Sequence, residues 1–278
     1  MLRYPTWMAV AVGVMTLGPT HVAVAANEAE EAPESAVSSP PMEMDDPGTP
    51  GRRGIELNFV GTLVRAGALR ASETLLDANF GIGDRVQLKY ERPYLTDGAV
   101  GAHTQRGLGA TEFGVKWRAV DHDGLAIAVY PQYSMDDAFK LKDEEGASEE
   151  SEGRSFNVPV LISKEVHHLY TVAVNIGYRR NLDDRGDDAI LAVGAGRAVR
   201  GDGRVLAEVF SERDRHLHNR QTDVRMGYVF MLFPGTFAES HFEIPAYVAI
   251  GHSIGRTETH ELSTSFTFGM SIIRKPKA

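Results

Sequence analysis

Apolar and polar residues alternate with a period of two along most of the chain after residue 53. In RVQLKYE, for example, Val86, Leu88 and Tyr90 lie on one side of the pattern and the residues between them are polar. Successive side chains of a β-strand point to opposite faces, so this alternation predicts strands with one apolar and one polar face. About twelve such segments follow one another, at 54–62, 73–80, 85–95, 109–119, 125–134, 155–164, 169–180, 188–198, 204–212, 221–231, 244–252 and 262–273.

The lengths of these segments and of their connections separate two kinds of β-protein. Most segments span about nine to twelve residues, whereas strands of soluble proteins have a mode of about 5–6 and a tilted membrane-crossing strand needs about 9–11. Tight connections such as 81–84 and 121–124 alternate with longer ones such as 64–72 and 135–154, and 232–243 departs from this alternation. Bacterial outer-membrane barrels are built in this way, with short periplasmic turns and longer external loops.

We therefore predict an all-β fold, a transmembrane antiparallel up-and-down β-barrel of about twelve strands. In lipid, every backbone N–H and C=O must find a partner within the protein, and closure of the sheet supplies those partners. A soluble β-sandwich would show the same alternation with its apolar face buried. It would not explain the strand lengths, the alternating connections or an export signal.

The first 26 residues have the features of a secretory signal peptide. Arg3 gives a positive start, an apolar run extends from Trp7 to Leu17, and Ala23 and Ala25 frame a small-x-small cleavage site. The apolar run is too short to cross a membrane as a helix. Export through a cleaved signal peptide, taken with the barrel, predicts the outer membrane of a Gram-negative envelope.

Acidic residues are concentrated in two segments. Residues 27–53 contain seven acids and five prolines, which predicts a disordered linker because such a segment has little apolar surface to bury. Residues 136–152 contain eight acids against two lysines and predict a charged external loop. The formal net charge of −9 therefore belongs mainly to solvated segments and gives no reason to expect a nucleic-acid partner. The barrel domain is assigned to 54–273 and a short basic tail to 274–278.

One motif raises the question of catalysis. Residues 251–255, GHSIG, fit G-x-S-x-G, the nucleophile elbow of α/β-hydrolases, which needs a following helix and then an acid and a histidine. The residues after the motif alternate and predict a strand instead. We interpret Ser253 as a serine that faces the lumen or a loop, and we predict no enzymatic activity. The alternative is an outer-membrane lipid hydrolase in which Ser253 acts with His252, His260 or His216.

His216 and His218 stand two residues apart in a predicted external loop and are candidates for a metal site. Zinc and similar metals usually need at least three protein ligands, and no third ligand is evident near this pair. The chain has no cysteine, so it offers neither thiolate ligands nor a disulfide framework. We predict no metal and no cofactor.

The polar faces of the strands predict the lining of the lumen. When the apolar face of a barrel meets lipid, the opposite face points inward. Small residues such as Ala173 and Gly194 fall at inward positions of other strands and leave space. Two readings stay open: a passage beside a charged wall, or a lumen filled by ion pairs. The predicted lumen-lining residues are Glu56, Asn58, Asp77, Asn79, Gln87, Lys89, Glu91, Glu112, Lys116, Arg118, Glu208, Asp223 and Arg225.

Three sequence blocks resemble a known family. LLDANFGIGDRVQLKYERPYL (75–95), GLGATEFGVKWRAVDHDG (107–124) and AIAVYPQYSM (126–135) resemble, in order and spacing, the outer-membrane β-barrel family named for the MetA pathway of phenol degradation. The resemblance extends over roughly 54–273. It implies an exported barrel that acts as a transporter, with no settled substrate, and it brings no catalytic residues.

These observations together predict a passive channel or transporter for small molecules, with apolar or aromatic solutes among the candidates. The alternative is a structural or surface-interaction barrel whose lumen is plugged. The expected partners are outer-membrane lipid, small-molecule solutes and the barrel-assembly machinery.

Overall fold

The computed structural model describes residues 42–99, 104–135, 153–166, 169–183, 186–199, 203–214, 220–232, 242–254 and 262–274. Among these residues, no helix is long and apolar enough to cross a membrane. The strands, in chain order, are β1 Ile55–Ala66, β2 Leu69–Gly83, β3 Val86–Ala99, β4 Gln105–Leu108, β5 Thr111–His122, β6 Leu125–Val129, β7 Gln132–Met135, β8 Ser155–Asn157, β9 Val160–Val166, β10 Tyr170–Asn181, β11 Asp187–Val199, β12 Gly203–Asp214, β13 Arg220–Met231, β14 Phe242–Glu243, β15 Pro245–Ser253 and β16 Ser263–Arg274.

These sixteen strands form twelve spans, because β4–β5, β6–β7, β8–β9 and β14–β15 are each one span with an interruption. Every span pairs antiparallel with the next one along the chain. The ring closes where β1 pairs with β16, with Ile55 opposite Arg274 and Ala66 opposite Ser263. Closure gives the backbone groups of the first and last strands partners within the protein. The prediction of an all-β antiparallel barrel of about twelve strands is confirmed.

Prolines mark two of the interruptions. Pro131 lies between β6 and β7, and Pro159 lies between β8 and β9. Proline has no backbone N–H to donate to the ladder, but its carbonyl still accepts: Val115 N–H donates to Pro131 and Tyr130 N–H donates to Pro159, each at 3.0 Å. The wall therefore stays hydrogen-bonded across both breaks.

The two faces of the barrel wall are the reverse of those of a soluble protein. On β5, Val115 and Trp117 are 44% and 53% exposed, whereas Lys116 and Arg118 are 5% and 8% exposed. The same inversion runs around the ring, with Phe59, Leu88 and other large apolar side chains outside. A surface of this kind is stable in contact with hydrocarbon and not with water. The barrel therefore has the outer surface of a protein that spans a bilayer.

The connections gather at two ends of the barrel. The turn end holds the start of β1 and the end of β16, together with the turns 84–85 and 123–124 and the described ends of β9 to β15 at Val166, Tyr170, Val199, Gly203, Met231 and Phe242. The loop end holds the turn 67–68 and the opposite ends of the strands, at Ala99, Met135, Asn181, Asp214, Ser253 and Ser263 among others.

One predicted loop is wrong. The connection expected at 64–72 is a tight turn, because β1 and β2 continue to Ala66 and Leu69. Gly67 supplies the positive φ of 56° that this turn needs. The acidic run 136–152, expected to be an external loop, lies outside the described residues.

The chain enters the barrel interior before β1 begins. At the turn end, Arg53 N–H donates to the carbonyl of Gly81 (2.8 Å), and Gly81 N–H donates to the carbonyl of Gly54 (3.0 Å). Further back along the chain, residues 42–46 lie inside the ring of strands, where they contact β10, β11 and β12. Met42 and Met44 are 4% and 1% exposed, and they pack against three inward side chains of β10, β11 and β12, namely Ala173, Ala192 and Leu206.

We call residues 42–46 the lumen segment. From the sequence, these residues are predicted to belong to a disordered linker. In the structure, Met42 and Met44 instead pack against the inner face of the barrel. The physical reason is that the barrel supplies the apolar and charged partners that the segment lacks on its own. The signal peptide assigned to 1–26, the linker up to 41 and the end of the basic tail, 275–278, lie outside the described residues.

Candidate functional site in the barrel lumen

All of the predicted lumen-lining residues are buried or partly buried in the structure. Their strand neighbours on either side point outward and are mostly exposed. Glu56, Lys89, Glu91, Glu112 and Arg225 are partly buried. The fully buried members are Asn58, Asp77, Asn79, Gln87, Lys116, Arg118, Glu208 and Asp223.

A group of amides surrounds Asp77 on the wall formed by β1, β2 and β3. Asn58 faces Asp77 across the β1–β2 ladder, and its amide donates to the Asp77 carboxylate at 2.8 Å. The amide of Asn79 donates to both oxygens of the same carboxylate at 3.1 and 3.0 Å. Gln87 in turn donates to the carbonyl oxygen of Asn79. Neutral donors therefore surround this buried carboxylate, which no cation pairs directly among the residues described.

Two lysines and an aromatic ring form a second group on β3, β5 and the β6–β7 break. Lys89 Nζ lies 2.7 Å from Glu91 and 3.3 Å from Glu112. Lys89 and Lys116 both stand over the ring of Tyr130, at 5.7 and 4.8 Å from its centroid. Each position is within the range of a cation–π contact. The lysines therefore sit between carboxylates on one side and a π-face on the other.

Sequence reasoning missed Tyr130. It is 0% exposed and points inward at the break before Pro131, between the buried side chains of Ala128 and Gln132. One signal was available: Gly114 lies opposite on β5, and a Cβ there would stand 2.7 Å from the Tyr130 ring. A glycine facing a large aromatic residue on a neighbouring strand is the kind of pair that leaves room for an inward ring.

The lumen segment is bound by side chains from three strands. Glu208 on β12 accepts hydrogen bonds from the backbone N–H groups of Glu43 (3.2 Å) and Met44 (2.8 Å). Asn175 on β10 donates from its amide to the carbonyl of Asp45 at 2.9 Å. Arg225 on β13 pairs with the carboxylate of Glu43. Glu208 and Arg225, two of the predicted lumen-lining residues, therefore bind a segment that was predicted to be a disordered linker.

Small residues make the space that the segment fills. Ala173, Ala192 and Gly194 face inward on β10 and β11, and the side chain of Met44 lies against them. A Cβ at position 194 would stand 2.3 Å from the Met44 sulfur, so a larger residue there would force the Met44 side chain to move. The expected wall of small residues is present, and the segment occupies the space beside it.

A third charged group lies toward the loop end. Arg179 on β10 pairs with Glu212 at 2.6 Å and lies 3.9 Å from Asp188. None of these residues was in the predicted lining. The signal was present, because the inward positions of β10 follow a period of two from Thr171 through Asn175 to Arg179.

A cavity of about 430 Å³ remains inside the barrel beside the lumen segment. Its wall is mixed: charged side chains such as Glu73, Glu91 and Arg179 alternate with apolar ones such as Ile190 and Phe210. Pockets that take small molecules fall in the range of about 300–1,000 Å³. The lumen thus has room for a small solute while the segment is docked.

Ser253 is paired with another serine and not with a histidine among the described residues. It points inward, and Ser263 N–H donates to its Oγ at 2.6 Å. His252 is exposed on the opposite face of β15 and contacts Thr264 Oγ1 at 3.0 Å through Nδ1. The other histidines considered for catalysis or metal binding, His260, His216 and His218, lie outside the described residues. This geometry agrees with the interpretation of Ser253 as a lumen-facing serine.

Comparisons with known proteins give matches in fold and none in sequence family. No protein-family model matches the chain, and no curated protein matches it. Among solved structures, the COG4313 outer membrane channel from Pseudomonas putida F1 matches with a TM-score of 0.61 and 9% identity, over 83% of this chain and 97% of that one. The NanC porin matches with a TM-score of 0.53 and 11% identity, over 77% and 98%.

The beta domain of the Bordetella autotransporter Brka also matches, with a TM-score of 0.53 and 10% identity, over 80% of this chain and 99% of that one. At such identities the likeness is one of fold. The chain therefore has the fold of the outer-membrane β-barrels, which it shares with channels and with an autotransporter domain alike.

Proposed function

We propose that the chain is a passive outer-membrane channel for small solutes, with the lumen segment as a partial plug. The observation that carries the proposal is the closed barrel with an apolar outside, a charged inside and a residual cavity of about 430 Å³. Two of the structures with the same fold are named as a channel and a porin. The resemblance to the family named for the MetA pathway of phenol degradation belongs to the same proposal.

The composition of the lumen favours a channel over a purely structural barrel. Side chains of the wall can fill the interior of a barrel of about eight strands, whereas this barrel has twelve spans. Here the middle of the lumen is filled instead by the lumen segment, which hydrogen bonds and ion pairs hold in place. Met44 adds an apolar contact with Ala173, Ala192 and Leu206, which we call the apolar seat. Contacts of this kind are reversible, and release of the segment would leave a wet passage lined by charged groups.

The composition of the cavity wall favours the binding of small amphipathic solutes. Apolar side chains from Val60, Leu75 and Phe210 share this wall with charged groups. An apolar or aromatic molecule that carries a polar substituent would satisfy both. The remaining partners follow from the outer face: outer-membrane lipid around the apolar band, and the barrel-assembly machinery during insertion.

A plugged structural or surface-interaction barrel is the second candidate, because the lumen segment and the ion pairs around it occupy the middle of the lumen. Conductance of the purified full chain in planar bilayers separates the two. A channel gives discrete current steps, rare with the native segment and frequent when its contacts are removed by Glu43→Gln, Met44→Ala and Asp45→Asn together. Barrels that stay heat-modifiable on a gel and carry no current in either form would exclude the channel.

A further inference from the structure

Two lumen side chains, Glu208 and Asn175, make three hydrogen bonds with main-chain atoms of the lumen segment. The Glu208 carboxylate accepts from two successive backbone N–H groups at 3.2 and 2.8 Å. The Asn175 amide donates to a backbone carbonyl at 2.9 Å. Residues 42–44 form a bend, and a bend can turn successive N–H groups toward one anion. Part of the site therefore contacts a bent peptide backbone.

The side chains of the segment are recognised in turn. The carboxylate of Glu43 pairs with Arg225, and the carboxylate of Asp45 lies 3.9 Å from Lys116. Between them, Met44 enters the apolar seat beside Gly194. The pattern that fits is acid, apolar residue, acid.

Glu208 depends on the lumen segment for its hydrogen bonds. Its side chain is 2% exposed, and both of its hydrogen bonds come from the lumen segment. Arg225 stands opposite Glu208 in the β12–β13 ladder, but the ion pair of Arg225 is with Glu43 of the segment. Release of the segment therefore removes the partners of both side chains, and an incoming peptide can supply N–H donors to Glu208 and a carboxylate to Arg225.

We propose that the lumen carries a binding site for short acidic peptides, and that residues 43–45 occupy it as a tethered ligand. The site is built by Glu208, Asn175 and Arg225 around the apolar seat for Met44. A free peptide with the same pattern of acid, apolar residue and acid competes for the site and blocks or slows the passage. The inference rests on the proposed channel function and names one ligand class for it.

The test uses the full chain with Glu43→Gln, Met44→Ala and Asp45→Asn, which weaken the tethered ligand and leave the barrel wall intact. Acetyl-Glu-Met-Asp-amide is added to this variant in planar bilayers, with acetyl-Lys-Met-Lys-amide as the matched control. We expect concentration-dependent interruption of the current by the acidic peptide and none by the basic one. We also expect that native channels need more of the acidic peptide, because the tethered segment competes with it.

Glu208→Gln in the same background should raise the concentration for half-block by about tenfold or more, since a neutral amide replaces a charged acceptor. Asn175→Ala gives a second, independent test if the first variant does not insert. Currents that neither peptide interrupts, or that both interrupt equally, overturn the peptide site and leave the channel standing. A lack of current in every correctly inserted variant overturns the channel itself.

Discussion

Replacement of Met44 with alanine should release the lumen segment without opening the barrel wall. Met44 is 1% exposed and packs against Ala173, Ala192 and Leu206. Full burial of a methionine stabilises by about 1.5–3 kcal/mol, and alanine keeps part of this, so docking should weaken by about 1–2 kcal/mol. At about 1.4 kcal/mol per tenfold, the ratio of open to closed channel time should rise about 5- to 30-fold.

The measurement is single-channel recording of the native chain and the Met44→Ala variant under the same voltage and salt. Met226→Ala is the matched control, because Met226 lies on the outer face and is 58% exposed. It should leave the ratio unchanged. The wall hydrogen bonds do not involve Met44, so both variants should remain heat-modifiable on a gel. An unchanged ratio in a correctly inserted Met44→Ala variant would show that the apolar seat does not hold the segment.

Further expectations follow from the wall, the turns and the motif. Gly194→Val should raise the open ratio in the same direction, and it should not add to Met44→Ala in the double variant because both act on one contact. Val115→Arg, in the middle of the lipid face, should destabilise the barrel by about 2–4 kcal/mol in urea unfolding from vesicles. Gly124→Val should cost about 1–2 kcal/mol in the same assay, because Gly124 has a φ of 68° in a tight turn. Ser253→Ala should leave ester and phospholipid hydrolysis unchanged; a specific loss would revive the hydrolase reading.

The barrel wall was predictable because one periodic rule controls it. A side chain in a strand faces either lipid or lumen, so alternation alone locates all twelve spans and their two faces. The predicted ends were less accurate: β2 runs over Leu69–Gly83 where 73–80 was expected, and β3 runs to Ala99. The extensions over 69–72 and 96–99 lie at the loop end, where polar residues such as Arg70 and Asp97 interrupt the alternation. The extension over 81–83 lies at the turn end. Where both faces of a strand contact water, neither face needs apolar residues, so the alternation ends before the strand does.

The lining of the lumen was predictable where the alternation is strict. Asn58, Lys116 and Glu208 fall on the inner face for the same reason that their neighbours fall outside. Tyr130 falls at the inward position between Ala128 and Gln132, in phase with both. It was missed because the small residues before it suggested that the inner face of this span was empty. Arg179 was missed because the inward residues before it on β10 include small ones such as Ala173 and Gly177, which suggested that the inner face of this strand carries no charged side chain.

The lumen segment could not be placed from local sequence, because its partners are distant in the chain. Taken alone, residues 42–46 are acidic and rich in bends, and free acidic chains stay solvated. Inside the barrel, Arg225 and Lys116 face the two carboxylates and Glu208 takes the backbone N–H groups. The cost of burying these charges is offset only when both sides are present, and contacts between residues so far apart in the chain leave no local signature.

The two readings of the lumen that the sequence left open are therefore not exclusive. The wall does pair its charges, as Lys89 does with Glu91, but Arg225 and Lys116 find their acids on the lumen segment instead. The small residues do leave space, and Met44 takes it. A wall that completed its own ion pairs would bind nothing. A wall that leaves cations, a buried carboxylate and an apolar seat for a removable segment can exchange that segment for a solute of the same chemistry.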